Sequence, residues 1–160
     1  MSKKLVAYFS ASGVTASLAK SLSQAAEADL YEIMPEVHYT QADLNWNDQQ
    51  SRSTIEMQNP TFRPAIADKS ANIDAYDVIF IGFPIWWYVA PTIINTFLES
   101  NDFSGKVIIP FATSGGSGMG ETVKKLRPSV SDTVCWKEGK VISANANKAM
   151  LAAWIESLKL

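Results

Sequence analysis

The chain has 160 residues, 47% hydrophobic and 19% charged, which suits one globular domain with a sizeable core. A formal net charge of -2 gives no sign of a nucleic-acid groove or an anionic-membrane surface, and the single Cys135 excludes an intramolecular disulfide. No apolar run approaches the roughly 20 residues of a membrane span, and Met1-Ser2-Lys3-Lys4 enters a strand-like run without a signal-peptide core, so a cytoplasmic protein is expected.

Lys3 to Phe9 reads as a buried strand, because a short apolar run stops at small polar residues. Leu18, Ala19, Leu22 and Ala25 then recur at helical spacing and predict a helix over 14–26. Leu30 to Met34 is a second strand, ended by Pro35. A polar stretch runs from Glu36 to about Asn72. Within it "NDQQSRSTIEM" predicts a helix, and Pro60 and Pro64 break the chain after it. Asp77 to Phe83, "DVIFIGF", is apolar without alternation, as a strand covered on both faces must be. Pro91 opens a helix that places Ile94, Phe97 and Leu98 on one face and ends near Asn101. Lys106 to Ala112 is another buried strand, in which Pro110 predicts a bulge or the strand's end. A helix over 120–126 stops at Pro128. Thr133 to Trp136, with Val141 and Ile142, predicts a weak edge strand. The last helix starts at about Asn147 and carries Met150, Leu151, Trp154, Ile155 and Leu158.

Strands that alternate with helices imply a parallel sheet covered on both faces. The expected fold is α/β, a three-layer doubly wound domain over 1–160 with a five-stranded parallel sheet in the order 2-1-3-4-5. An extended connection occupies about 36–72. Ligands of such sheets bind beyond the carboxyl ends of the strands, at the switch point. That rule selects three loops: Ser10–Thr15, Pro84–Tyr88 and Thr113–Gly120.

In the first loop Ser10, Ser12 and Thr15 offer hydroxyls, and Gly13 permits tight curvature. The backbone N–H groups around Val14 open a helix, where the dipole favours an anion. This set suits a phosphomonoester held without lysine or arginine. No G-x-x-x-x-G-K-[ST], no G-x-G-x-x-G and no acidic pair follows the first strand, which argues against a Mg-nucleotide, a dinucleotide and a phosphoacceptor. The alternative is a small-residue turn that only lets helix and sheet pack closely. In the second loop Trp86, Trp87 and Tyr88 suit a flat ligand, with one of the three expected to pack inward under the next helix. In "ATSGGSGMG" the residues Thr113, Ser114, Gly115, Gly116 and Gly118 bring backbone donors close to a ligand edge, or form a plain flexible turn. Tyr39, Trp46, Arg52 and Arg63 lie in the 36–72 connection. It is either a lid over the ligand or a flanking helix anchored by Trp46. His38 lacks metal-ligating neighbours and is expected at the surface, Cys135 is expected in the core, and no metal or catalytic side chain is assigned.

Val6, Tyr8, Ser10, Gly13, Thr15, Ala19 and Leu22 meet the N-terminal pattern of the flavodoxin family, which the chain resembles, with Ala7 the one departure. The resemblance implies FMN as cofactor, its phosphate held by Ser10, Ser12, Gly13, Val14 and Thr15. It implies an isoalloxazine contacted by Pro84, Ile85 and Trp86, beside Trp87 and Tyr88, with Ile85 where the family commonly has threonine. The residues from Thr113 to Gly118 would face the pyrimidine carbonyls; a stacking tyrosine common in long-studied flavodoxins is missing from this loop. P-I-W-W together with T-S-G-G-S-G is similar to a bacterial flavodoxin-like subgroup. In the family a peptide of the loop after the third strand flips on one-electron reduction. A loop without glycine makes that flip costly. The expected function is therefore a flavin-dependent reductase using two-electron chemistry, from NAD(P)H to quinones or similar small acceptors. The alternatives are a one-electron carrier between protein partners, which a net charge of -2 disfavours, and a non-redox module for another phosphate ligand.

Overall fold

The computed structural model describes residues 3–68, 71–114 and 118–160. Strand β1 (Lys4–Tyr8) is the first apolar run, and it lies between β2 (Asp29–Glu32) and β3 (Val78–Pro84). Strand β4 (Val107–Thr113) pairs with β3, and every pairing in the sheet is parallel. The order is β2-β1-β3-β4-β5, the doubly wound order expected from the alternation of elements. The β2 ladder ends earlier than Met34. Ile33 still donates its N–H to the Tyr8 carbonyl at 2.6 Å, but Pro35 leaves the sheet to bridge Ile66.

The fifth strand is split in two, β5 (Cys135–Trp136) and β6 (Lys140–Val141), both paired with β4. Between the two pairings Ile109 and Pro110 of β4 face Lys137, Glu138 and Gly139, so one extra residue bulges out. Pro110 has no N–H to give the ladder, and of the bulge or strand end expected there the structure has the bulge, with β4 running on to Thr113. Gly139 fits there because a Cβ would stand 2.6 Å from both the Pro110 ring and its carbonyl oxygen. Cys135, expected in the core, is instead exposed on β5, which among the described residues is the edge strand of the sheet.

Alternation along β1 sends Leu5 and Ala7 to one face and Val6 and Tyr8 to the other. The first face is covered by α3 (Thr92–Glu99), through Ile93, Ile94, Phe97 and Leu98. The second is covered by α1 (Val14–Ala26) and α5 (Lys148–Ser157), through Leu18, Leu22, Leu151 and Trp154. Asn147 caps α5 by accepting the Met150 N–H at 2.9 Å, which fixes the start that the sequence suggests. Between β2 and β3 the chain makes an excursion that contains α2 (Arg52–Gln58) and is closed at its base by the Pro35–Ile66 bridge. A short α4 (Thr122–Leu126) follows β4, beginning two residues after Gly120. Among the described residues no helix is long and apolar enough to cross a membrane.

Candidate functional site

A groove of about 610 Å3 opens at the carboxyl ends of β1, β3, β4 and β6. Its volume lies in the ~300–1,000 Å3 range of small-molecule sites. Ser12 and Val14 form one wall, Pro84, Ile85 and Trp86 another, and Thr113 and Ser114 the base between them. The sequence-derived loops therefore meet in space. Ser10, Gly13, Thr15, Trp87, Tyr88 and Gly118 do not line this groove, while Gly115 and Gly116 lie outside the described residues. A further wall, from Val141 to Asn145, was not found by sequence reasoning. The rule that selected the other loops applies equally to the end of the fifth strand, but two-residue pieces of strand gave no clear end to extrapolate from.

The head of α1 is shaped by Gly13, whose φ of 94° lies in the left-handed region that side chains disfavour. Its N–H donates to Ser10 Oγ at 3.0 Å, so the Ser10 hydroxyl braces the loop. Thr15 Oγ1 lies 2.7 Å from Thr113 Oγ1, both residues buried, and this pair ties the loop to the end of β4. One of the two hydroxyls donates to the other, and the pair retains one hydrogen for a further acceptor. The first intrahelical bond runs from Ser17 N–H to the Gly13 carbonyl at 3.1 Å. The N–H groups of Val14, Thr15 and Ala16 thus have no partner inside the helix and sit at its positive end, with no acidic residue in the first turn. None of the described residues lining the groove is charged. The donors fit a phosphate that is held by hydrogen bonds alone, and the apolar wall of Pro84, Ile85 and Trp86 fits a flat ring, so this set suits FMN.

The loop after β3 is a closed turn. Trp86 N–H donates to the Val89 carbonyl at 2.9 Å, and Val89 N–H returns a bond to Trp86 at 3.2 Å. Its central residues have φ of 50° at Trp87 and 68° at Tyr88, the pattern of a type I′ turn. Such turns usually use asparagine and glycine, and each bulky residue here costs about 1 kcal/mol or more. Two neighbours hold the turn in place. Ile85 N–H donates to the Thr113 carbonyl at 2.9 Å, and Gly120 lies so close to the Tyr88 carbonyl oxygen that a Cβ there would collide with it. Of the three aromatics, Trp86 is the one that packs inward, and it lines the groove at the same time. Trp87 and Tyr88 face outward, 43% and 68% exposed. On the far side of the turn Trp87 lines a second groove of about 710 Å3, between the excursion, α3 and α4.

The excursion reaches this site through Tyr39, whose ring centroid lies 5.5 Å from that of Trp86. The Tyr39 hydroxyl donates to Glu56, and burial, followed by that bond and the Glu56 charge, pushes its pKa far above the ordinary phenol value. Trp46, expected as the anchor of α2, is 71% exposed; the anchor is Tyr39 with Glu56 and Arg52. Arg63 turns away and its Nε donates to both carboxylate oxygens of Glu99, at 3.0 and 3.1 Å. His38 is exposed as expected, and among the described residues no group of three or more metal-ligating side chains occurs.

Comparison with known proteins gives the same picture. The flavodoxin family profile matches residues 3–158. A candidate flavoprotein of Bacteroides eggerthii is 48% identical over 100% of this chain and 99% of its own, with a TM-score of 0.93. One from Bacteroides uniformis is 46% identical, covering 97% of this chain and 98% of its own, with a TM-score of 0.91. A flavoprotein of Lactobacillus acidophilus in complex with FMN shares the fold at 20% identity and a TM-score of 0.71, each chain covered over 100% of its length. No curated protein matches the chain.

Proposed function

The chain belongs to the flavodoxin family, and on that premise we propose that it binds FMN in the 610 Å3 groove and acts as a flavin-dependent reductase by two-electron chemistry. When bound, FMN supplies hydride uptake and electron release; the protein supplies placement and electrostatics. The N–H groups at the head of α1, with Ser12, hold the phosphate. Pro84, Ile85 and Trp86 flank the ring, and the end of β4 at Thr113 and Ser114 faces the pyrimidine edge. The electron donor is NAD(P)H and the acceptor a quinone or similar small molecule.

The observation that carries the two-electron reading is the type I′ turn of Trp87 and Tyr88. Flipping its central peptide would convert it to type II′, which demands a glycine-like conformation at the first central residue. That residue is Trp87, and the change there costs about 1–3 kcal/mol, against about 1 kcal/mol recovered as Tyr88 leaves positive φ. A turn that resists the flip gives no special support to a one-electron stage. The exposure of Trp87 and Tyr88 beside the groove favours the second reading, an electron carrier that docks a partner protein on this face. Anaerobic addition of NADH and NADPH to the yellow holoprotein tests the choice. Rapid bleaching by either one is expected. A holoprotein inert to both would return the carrier to first place, and a protein that takes up no FMN would defeat both readings.

A further inference from the structure

Tyr39 does not line the FMN groove, yet it touches the rings that shape it. Its centroid lies 5.5 Å from Trp86 at 70° and 5.5 Å from Phe9 at 63°, and Phe9 lies 5.7 Å from Trp86 at 88°. The three rings meet edge to face, within the separation at which such pairs attract. Phe9 is buried at the end of β1, so two of the three positions are fixed from different directions: Phe9 by the sheet, Tyr39 by the excursion.

Tyr39 is fixed at its far end as well. Its hydroxyl donates to Glu56, which is 4% exposed, and Arg52 Nε donates to the other oxygen of that carboxylate at 2.9 Å. The Arg52 guanidinium carbon lies 3.8 Å from the Tyr39 ring centroid, and Nη1 donates to the Val37 carbonyl at 2.7 Å. A buried carboxylate is tolerated only where donors satisfy it. Glu56 therefore holds both the phenol and the guanidinium, and Arg52 clamps the ring to its own backbone two residues upstream. Among the described residues, the groove-lining ring that Tyr39 meets is Trp86.

We propose that Tyr39, locked by Glu56 and Arg52, is a positioning residue for Trp86, so that the excursion between β2 and β3 sets how tightly the isoalloxazine is held. The proposal rests on the assignment of Trp86 to the ring wall. Its test uses Tyr39→Leu, Glu56→Gln and Trp86→Leu, with the Tyr39→Leu/Trp86→Leu double variant. Two quantities are measured: the Kd values for FMN and riboflavin, and the fluorine NMR resonance of Trp86 in fluorotryptophan-labelled apoprotein. Tyr39→Leu and Glu56→Gln should each shift or broaden the Trp86 resonance with no flavin present. Tyr39→Leu should weaken FMN and riboflavin alike by roughly threefold to tenfold, the scale of one aromatic pair. In the Trp86→Leu background its effect should fall below about twofold. Glu56→Gln keeps the ring and its packing, and so reports even if Tyr39→Leu does not fold. An unmoved Trp86 resonance in both variants, or effects that simply multiply in the double variant, would overturn the proposal. If the resonance follows Tyr39 while Trp86→Leu leaves both Kd values unchanged, Tyr39 does position Trp86 and the ring-wall assignment is what fails.

Discussion

Replacing Trp87 by glycine should separate the flavin's reduction into two resolved steps. In the turn from Trp86 to Val89, Trp87 holds φ 50° and Tyr88 φ 68°. A flip of the peptide between them leaves Trp87 at positive φ in a region reserved for glycine, and returns Tyr88 to ordinary negative φ. The first change costs about 1–3 kcal/mol. Tyr88 recovers about 1 kcal/mol of this, so up to about 2 kcal/mol remains, and with 59 mV per tenfold for one electron this corresponds to up to roughly 90 mV of support withheld from the one-electron stage. Trp87→Gly removes that penalty. Tyr88→Gly acts in the other direction, because it relaxes only the unflipped turn, and so serves as the control. Trp87 does not line the 610 Å3 groove, so its loss leaves that wall intact. Stepwise anaerobic reduction followed at long wavelength reads the outcome. The Trp87→Gly protein should accumulate the one-electron-reduced flavin at its midpoint, while the parent and Tyr88→Gly should pass from oxidised to fully reduced without it. A Trp87→Gly titration superimposable on the parent would refute the reasoning. So would equal accumulation in both variants, which would point to a loosened loop instead of turn geometry.

Ser12→Asp places a carboxylate at the groove edge beside the head of α1, and should weaken FMN at least about tenfold (~1.4 kcal/mol) while affecting riboflavin far less; equal losses for the two ligands would mean the phosphate lies elsewhere. Gly120→Ala is strained by its φ of 54° and drives a methyl into the Tyr88 carbonyl, so urea unfolding should show a loss of about 2 kcal/mol or more, and an unchanged midpoint would show that the turn does not rest on Gly120. The raised pKa of Tyr39 gives a pH signature. Its contribution is complete below the unfolded phenol value near 10, and is lost as pH rises above it, because the unfolded chain ionises first. Between about pH 10 and 12 the stability advantage of the parent over Tyr39→Phe should therefore shrink by up to about 1 kcal/mol per pH unit, discounted for half-burial; parallel curves would show a phenol open to solvent.

The sheet was legible where a single physical cause dominated. "DVIFIGF", short and apolar without alternation, reads as a covered strand, and Gly13 before a helical pattern marks a tight entry whether or not it binds anything. Pro110 predicted a bulge or the strand's end; β4 runs on through it and the extra residue lies in the partner strand, whose resumption the sequence did not mark. That depends on Gly139, whose missing Cβ matters only once the Pro110 ring lies beside it. Cys135 was misplaced for a related reason. Cysteine is usually buried, but the edge position of β5 follows from strand order, a property of the whole chain.

The site shows the same division. Trp86, Trp87 and Tyr88 advertised a ligand loop by composition, but their separate fates are decided by backbone geometry: with Trp87 and Tyr88 spent on a type I′ turn, Trp86 is the residue left to face inward. No local pattern marked Tyr39. It sits in a polar stretch without periodicity, and its partners Arg52 and Glu56 stand four residues apart in α2, a spacing that on an exposed helix is worth only a few tenths of a kcal/mol. Folding changes the meaning of that pair. In the folded excursion Glu56 is buried, and a buried carboxylate needs donors, here the Tyr39 hydroxyl and Arg52 Nε. Trp46, the larger ring, looked the better anchor by size alone. It has no such carboxylate among its described contacts, and size without a polar partner leaves an indole in a polar loop on the surface. Tyr39 was selected by its hydroxyl as much as by its ring. That is a criterion of satisfied hydrogen bonds, and it becomes visible only when the donor and the acceptor are placed together.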